Sequence, residues 1–362
     1  MLEYNALNER LKKQYEDRLL HEEHRDPRTA DTTWKAINLF ENFSGRKDLI
    51  TLNMEQAKAF KRWLLKEENG NGELLSVSTV RSTMKNLRSF FGWLMLHPQY
   101  NRKIDGRAVG CFHLSNNEER AGRATRELPV PSIEEVHKAL EAMPHGTPLE
   151  KRDRAIMAFT ALTGVRDAAL ISLKMKDVDR QNNEIWQDPK HVKTKARKAI
   201  STFFMPFDRL WLTITLEWLD YAEQVLGFQP NDPIFPKQAV VCNLTTMQFA
   251  AESLSREHWA NAGPVRDVFH DGFMHAGLPY YNPHSFRKML IIWAMEHCTQ
   301  MEFKAISQNI GHEHAITSYN HYGKLPDHKR QSLIRAIGTG NTEISHVPHD
   351  VLMAEMQRRI RP

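Results

Sequence analysis

The sequence is poor in cysteine and has no long apolar run. Cys111, Cys242 and Cys298 are its three cysteines in 362 residues, and no two form a CxxC pair. That excludes a disulfide framework and a cysteine-rich zinc site, and it fits a reducing, intracellular setting. No apolar stretch approaches the roughly 20 residues needed to cross a bilayer. The N-terminus MLEYNALNERLKKQYEDRLLHEEHRD has no basic segment followed by an apolar one, so nothing there reads as a signal peptide. The chain reads as soluble and cytoplasmic, with no membrane partner. It also lacks internal repeats, an acidic pair at glycosidase or metal-site spacing, a GxxxxGK(S/T) loop and a GxSxG elbow. Several common enzyme classes lose their support accordingly. Nor is there a strong excess of either charge, with 49 Lys plus Arg against 44 Asp plus Glu. The 18 histidines can add positive charge where their surroundings favour protonation, which leaves nucleic acid as a candidate partner.

A chain of this length is expected to hold more than one domain. Helical spacing marks residues 31–43, 54–66 and 76–95, broken by SGRKDLITLN and ENGNGELL. In SVSTVRSTMKNLRSFFGWLML, Val80, Met84, Leu87, Phe91 and Leu94 share one helix face, while Arg81, Lys85 and Arg88 share another. The cationic row is either a solvated face or a row spaced to follow phosphates. Residues 97–128 show neither period and are rich in Gly, Asn and Arg, as an interdomain linker would be. Just beyond, Ser132 and Glu135 form a capping-box signature that opens a second unit. There LEKRDRAIMAFTALTG reads as a helix ended by Gly164, and RDAALISLKMKDVD restarts one. NEIWQD and KAISTFF read as strands flanking the basic turn PKHVKTKAR. DRLWLTITLEWLDYAEQVLG, PHSFRKMLIIWAMEH and MEFKAISQNIG complete the helices, the second with Pro283 in its first turn. The fold class is therefore mainly α with a small β-sheet.

Four stretches of the second unit each place a cationic or hydrogen-bonding residue beside a structural stop. They hold Arg166 (TGVRDAALISL), Lys193 and Lys195 (HVKTKARKAI), His284 and Arg287 (HSFRK), and His312, Tyr319 and Tyr322 (GHEHAITSYNHYG). A phosphodiester is the substrate that suits this set. Two arginines can clamp its non-bridging oxygens through planar forks, histidines can donate further hydrogen bonds, a tyrosine can attack, and a lysine can protonate the leaving oxygen. A metal protein built on His312, His314 and His321 is the competing reading, but ordered carboxylate or cysteine partners are missing from it.

In order and spacing, the elements Arg, Lys, HxxR, GH and Tyr resemble the tyrosine recombinase, or phage integrase, family over residues from about 30 to 340. Matched to that family's motifs, Arg166 and Arg287 are the two catalytic arginines, Lys193 is the turn lysine with Lys195 as competitor, and His284 and His312 complete the set. Where the family often carries an acid three residues after the first arginine, this chain has Ala169, with Asp167 next to the arginine. The usual count from the GH histidine to the nucleophile lands on His321, between Tyr319 and Tyr322. Gly323 would end the helix behind Tyr322, and Pro326 suits the first turn of a new one. Tyr322 is therefore taken as the nucleophile and Tyr319 as a packing residue or backbone hydrogen-bond partner.

The resemblance implies a C-shaped clamp on double-stranded DNA. Its parts would be an N-terminal extension (1–25), a helical core-binding domain (26–105), a linker (106–129), a catalytic domain (130–338) and a C-terminal tail (339–362). Arg81, Lys85, Arg88, Arg102, Lys103 and Lys195 would meet DNA phosphates. It further implies site-specific recombination through a 3'-phosphotyrosyl link, needing neither a metal nor another cofactor, by four protomers on two duplexes. An accessory directionality factor is a further partner of the kind it admits. The tail, with Val351, Leu352 and Met356 ahead of several arginines, either docks on a neighbouring subunit or folds back on its own domain. A type IB topoisomerase and a DNA-binding protein that has lost catalysis are the rival readings.

Overall fold

The computed structural model describes residues 4–118, 129–243, 248–312 and 334, the side chains of 240–252 excepted. Two compact units divide the chain, Met1–Glu127 and Leu128–Pro362.

The first unit is helical, with α1 (Ala6–Asp17), α2 (Pro27–Phe43), α3 (Met54–Leu64), α4 (Val77–Leu96) and the short α5 (Gly106–Gly110). Asn5, Asp26, Asn53 and Ser76 start the four long helices by accepting a backbone N–H of the first turn. Packing outweighs these caps. Phe40 sets its ring 5.0 Å from Phe60 and 5.4 Å from Phe91, and Phe91 stacks on Phe112 at 5.4 Å. Burying one such side chain is worth about 1.5–3 kcal/mol, against about 1 kcal/mol for a cap.

This unit is larger than helical spacing indicates. The stretch 1–25, expected as an extension, places Leu11, Tyr15 and Leu19 in the core. Among them are buried Lys12 and Asn8, which bond the two carboxylate oxygens of Glu41 at 2.8 and 2.9 Å. Those polar groups interrupt the apolar stripe, so the helix does not announce its burial in sequence. Ala108, Val109, Phe112 and Leu114, expected in the linker region, are buried in the same core.

The second unit runs α6 (Ile133–Ala142), α7 (Pro148–Thr163), α8 (Asp167–Leu170), β1 (Val178–Asp179), β2 (Glu184–Gln187), β3 (Ile200–Phe203), α9 (Arg209–Gln224), β4 (Gln238–Asn243), β5 (Gln248–Leu254), α10 (Gly263–His275), α11 (Pro283–His297) and α12 (Gln300–Asn309). Capping boxes of Ser132 with Glu135 and Thr147 with Glu150 open α6 and α7. Helix α7 is buried from Ala155 to Thr163 and forms the centre of the core. Strands β1, β2 and β3 make an antiparallel sheet in that order, with Glu184 opposite Phe203 and Gln187 opposite Ile200.

Three features depart from the sequence reading, the first being α10, a stretch that reading left unassigned. The segment after Arg166 stays helical for only four residues, because Leu173 O accepts Ile234 N at 3.1 Å and Met175 N donates to Asp232 O at 3.0 Å. Long-range backbone pairing takes the groups a helix would have used. The β4–β5 hairpin was not anticipated, since QFAAESL carries few of the β-branched residues that signal a strand.

Candidate active site

Helix α7 ends at Gly164, which is left-handed at φ 57°. A Cβ there would lie 2.8 Å from Leu290 Cδ1 and 3.1 Å from Ile310 Cγ2, so the position takes glycine for space as well as conformation. Thr163, fully buried, steadies the turn by accepting Val165 N at 3.2 Å. The chain then delivers Arg166, half-buried, at the N-cap position of α8.

Arg287 lies one turn into α11, behind the Asn282 cap and Pro283. It is 1% exposed. Its Nη1 donates to Gly164 O, and its Nη2 donates to Ile310 O at 2.6 Å and approaches His312 Nε2 at 3.4 Å. A guanidinium buried on this scale is stable only if its donors are occupied. Two of the acceptors are carbonyls at the ends of α7 and α12, so the side chain joins the TGVR and IGH stretches.

His312 follows Gly311, left-handed at φ 78°, where a Cβ would lie 2.7 Å from Ile200 Cδ1. Asn309 clamps the end of α12 to β3. Its Oδ1 accepts Phe203 N at 2.6 Å, its Nδ2 donates to Phe203 O at 2.8 Å, and its carbonyl accepts Thr202 Oγ1 at 2.8 Å. The buried His312 is thus held between the sheet and Arg287.

His284, one turn before Arg287, has its outer edge in solvent. Partial desolvation, then the positive charges of Arg287, Arg166 and Lys195, hold it below the ordinary histidine range against the pull of Asp167. It therefore favours the neutral ring. The two turn lysines act on different histidines. Lys195 is among the charges depressing His284, while Lys193 is among those depressing His258, whose pKa falls chiefly through burial. His258 had no signal in the sequence; its Nδ1 lies 2.9 Å from Ile171 O.

Both lysines are exposed, as are Arg81, Lys85 and Arg88 on α4 and Arg102 and Lys103 after it. Tyr319, Tyr322, His314, His321 and the tail lie outside the described residues. Among the described residues, no group of three His, Cys, Asp or Glu side chains is placed to hold a metal ion, and no helix is long and apolar enough to cross a membrane.

A buried arginine joining TGxR to GH, with a histidine of lowered pKa one turn before it, is chemically suited to hydrogen-bond an oxyanion. The model of the phage integrase family matches residues 132–328, which span every one of these groups. The chain belongs to the phage integrase family of tyrosine recombinases. Within this family it is 23% identical over 282 residues to the tyrosine recombinase XerC of Vibrio atlanticus (strain LGP32), covering 75% of this chain and 77% of the relative. Its fold is similar to that of the XerH site-specific recombinase bound to a palindromic difH substrate, with TM-score 0.60, 18% identity, and 92% and 85% of the two chains covered. It is also similar to the Tn1549 transposon integrase in complex with transposon right end DNA, with TM-score 0.55, 13% identity, and 96% and 99% covered.

Proposed function

We propose that the protein is a site-specific DNA recombinase that cuts and rejoins double-stranded DNA through a 3'-phosphotyrosyl intermediate, serving integration or excision of a mobile element in the cytoplasm of a bacterial host. The observation that carries the reading is Arg287 bonded to Gly164 and Ile310 beside His312.

In the proposed reaction the Tyr322 phenol passes its proton to the His284 ring and its oxygen attacks the scissile phosphate. The P–O5' bond breaks, and the leaving O5' takes a proton from Lys193. Arg166 and Arg287 hold the non-bridging oxygens, and His284 and His312 orient the phosphate and assist proton transfer. Tyrosine ordinarily titrates near about 10, so this cationic surround favours the phenolate. The freed 5'-hydroxyl attacks the partner strand's phosphotyrosine, which conserves bond energy without ATP or metal. Exchange of both strands of two duplexes calls for four active sites, hence a tetramer on DNA. The helical unit would meet the duplex phosphates through Arg81, Lys85, Arg88, Arg102 and Lys103.

A nicked suicide duplex tests the reading. Wild-type protein and Tyr319→Phe should form the covalent adduct and Tyr322→Phe should not; adduct from Tyr322→Phe overturns the assignment. The influence of Lys195 on His284 favours a second reading of the general acid. Parallel Lys193→Ala and Lys195→Ala variants separate the two.

A further inference from the structure

The turn between β2 and β3 is pinned just where it releases Lys193, by groups that sequence does not connect with it. His191 Nε2 lies 2.9 and 3.0 Å from the two carboxylate oxygens of Asp177. Asp177 is buried, and its Oδ2 also accepts Lys174 N at 2.8 Å, which fixes the carboxylate to the segment leading into β1. The next residue, Val192, is 2% exposed and sits in the core. Lys193 follows, and its backbone N donates to Ser172 Oγ at 2.9 Å. Ser172 is itself anchored, its Oγ 2.9 Å from the carbonyls of Ala168 and Ala169 in the segment that begins at Arg166.

Three consecutive residues are therefore tied down by a charge-assisted hydrogen bond, an apolar plug and a backbone hydrogen bond. Beyond them the turn is exposed. Ala196 and Arg197 are left-handed at φ 58° and 52°, and Lys195 to Arg197 are exposed. The side chain of Lys193 is free to reach solvent while its Cα is held relative to Arg166. A proton donor gains most from being launched from a fixed point, because misplacement by about 1 Å costs a rate factor of order 100.

We propose that the His191–Asp177 pair is a latch that positions Lys193 to protonate the leaving 5'-oxygen. His191 and Asp177 act through the lysine and are positioning residues. The proposal rests on the reading of Lys193 as general acid, and the test separates the two.

Single-turnover cleavage by the full-length protein is compared on nicked suicide duplexes carrying either oxygen or sulfur at the bridging 5' position. A thiolate, a far weaker base than an alkoxide, departs without a proton, so a defect confined to the acid disappears with sulfur. His191→Ala is expected to slow the oxygen substrate about 10-fold or more and to cleave the sulfur substrate at close to the wild-type rate. His191→Gln, whose amide nitrogen can occupy the place of Nε2, should restore the oxygen substrate. Equal loss on both substrates, or no loss on either, overturns the latch. Should His191→Ala fail to fold, His191→Phe decides by the same criterion, since it keeps a ring in place and removes the hydrogen bond to Asp177. Lys193→Ala reports on the underlying reading. If sulfur leaves its defect intact, Lys193 is not the acid and the latch falls with it; if sulfur rescues Lys193→Ala but not His191→Ala, the latch alone falls.

Discussion

Arg287 and His312 meet inside the catalytic unit, with Nη2 3.4 Å from Nε2 and both residues buried. A guanidinium carries only donors, so in this contact Nε2 can take only the acceptor's role. The same Nη2 donates to Ile310 O, and Nη1 to Gly164 O. One side chain therefore sets the distance between the turn before Arg166 and the turn before His312.

Removing it should cost stability as well as activity. Arg287→Ala strips a donor from two buried carbonyls, each a loss of about 1–3 kcal/mol. The unfolding midpoint in urea should fall accordingly, and covalent-adduct formation should drop by about 100-fold or more. Arg287→Lys should recover part of the stability and little of the cleavage, because an ammonium cannot reproduce the planar fork.

Gly164→Ala should destabilise the catalytic unit by about 2–5 kcal/mol, the sum of left-handed strain and overpacking against Leu290 and Ile310. Gly92, inside α4 with nothing within 4 Å of an added Cβ, supplies the contrast. There Gly→Ala should stabilise the helical unit by about 0.5–1 kcal/mol. Denaturation of the two variants side by side checks both signs.

The ring of His284 should titrate below the ordinary histidine value of 6.5 in the free protein, since desolvation and the neighbouring cations disfavour its charge. A bound phosphodiester adds negative charge, so the midpoint should rise on DNA binding. NMR titration of the His284 ring with and without duplex reads both shifts. A free-protein midpoint above 6.5 contradicts the local field described here.

His137 behaves in the opposite way. Asp208, which also caps α9 by accepting Leu210 N at 2.7 Å, hydrogen-bonds the His137 ring and raises its pKa above 6.5. A raised folded-state pKa contributes stability that is fully present below the unfolded value and is lost as pH rises through the folded one. Wild type should therefore exceed His137→Ala in urea midpoint at about pH 5.5 and converge with it near about pH 9.

Much of the site was legible in sequence because its groups lie beside local stops. Gly164, Pro283 and Gly311 mark helix boundaries through conformations that few other residues adopt, and Arg166, His284 and His312 lie within two residues of them. Asn309 and Asp177 were not legible. Their partners are 106 and 14 residues away, and nothing in the spacing of an asparagine or an aspartate names a distant backbone or ring. The N-terminal helix escaped notice for a related reason, since Asn8 and Lys12 are buried through Glu41, a contact no helical period encodes.

The sequence by itself determined most of the long helices, and the order in which arginine, lysine, histidine and tyrosine follow one another. These depend on neighbours within a turn or two, where capping, glycine conformation and apolar period act. Tertiary structure decided which carbonyls receive Arg287, 123 and 23 residues distant, and which carboxylate receives His191. Hydrogen bonds between segments form only after apolar burial has brought the segments together, so their partners are set by packing and not by local pattern.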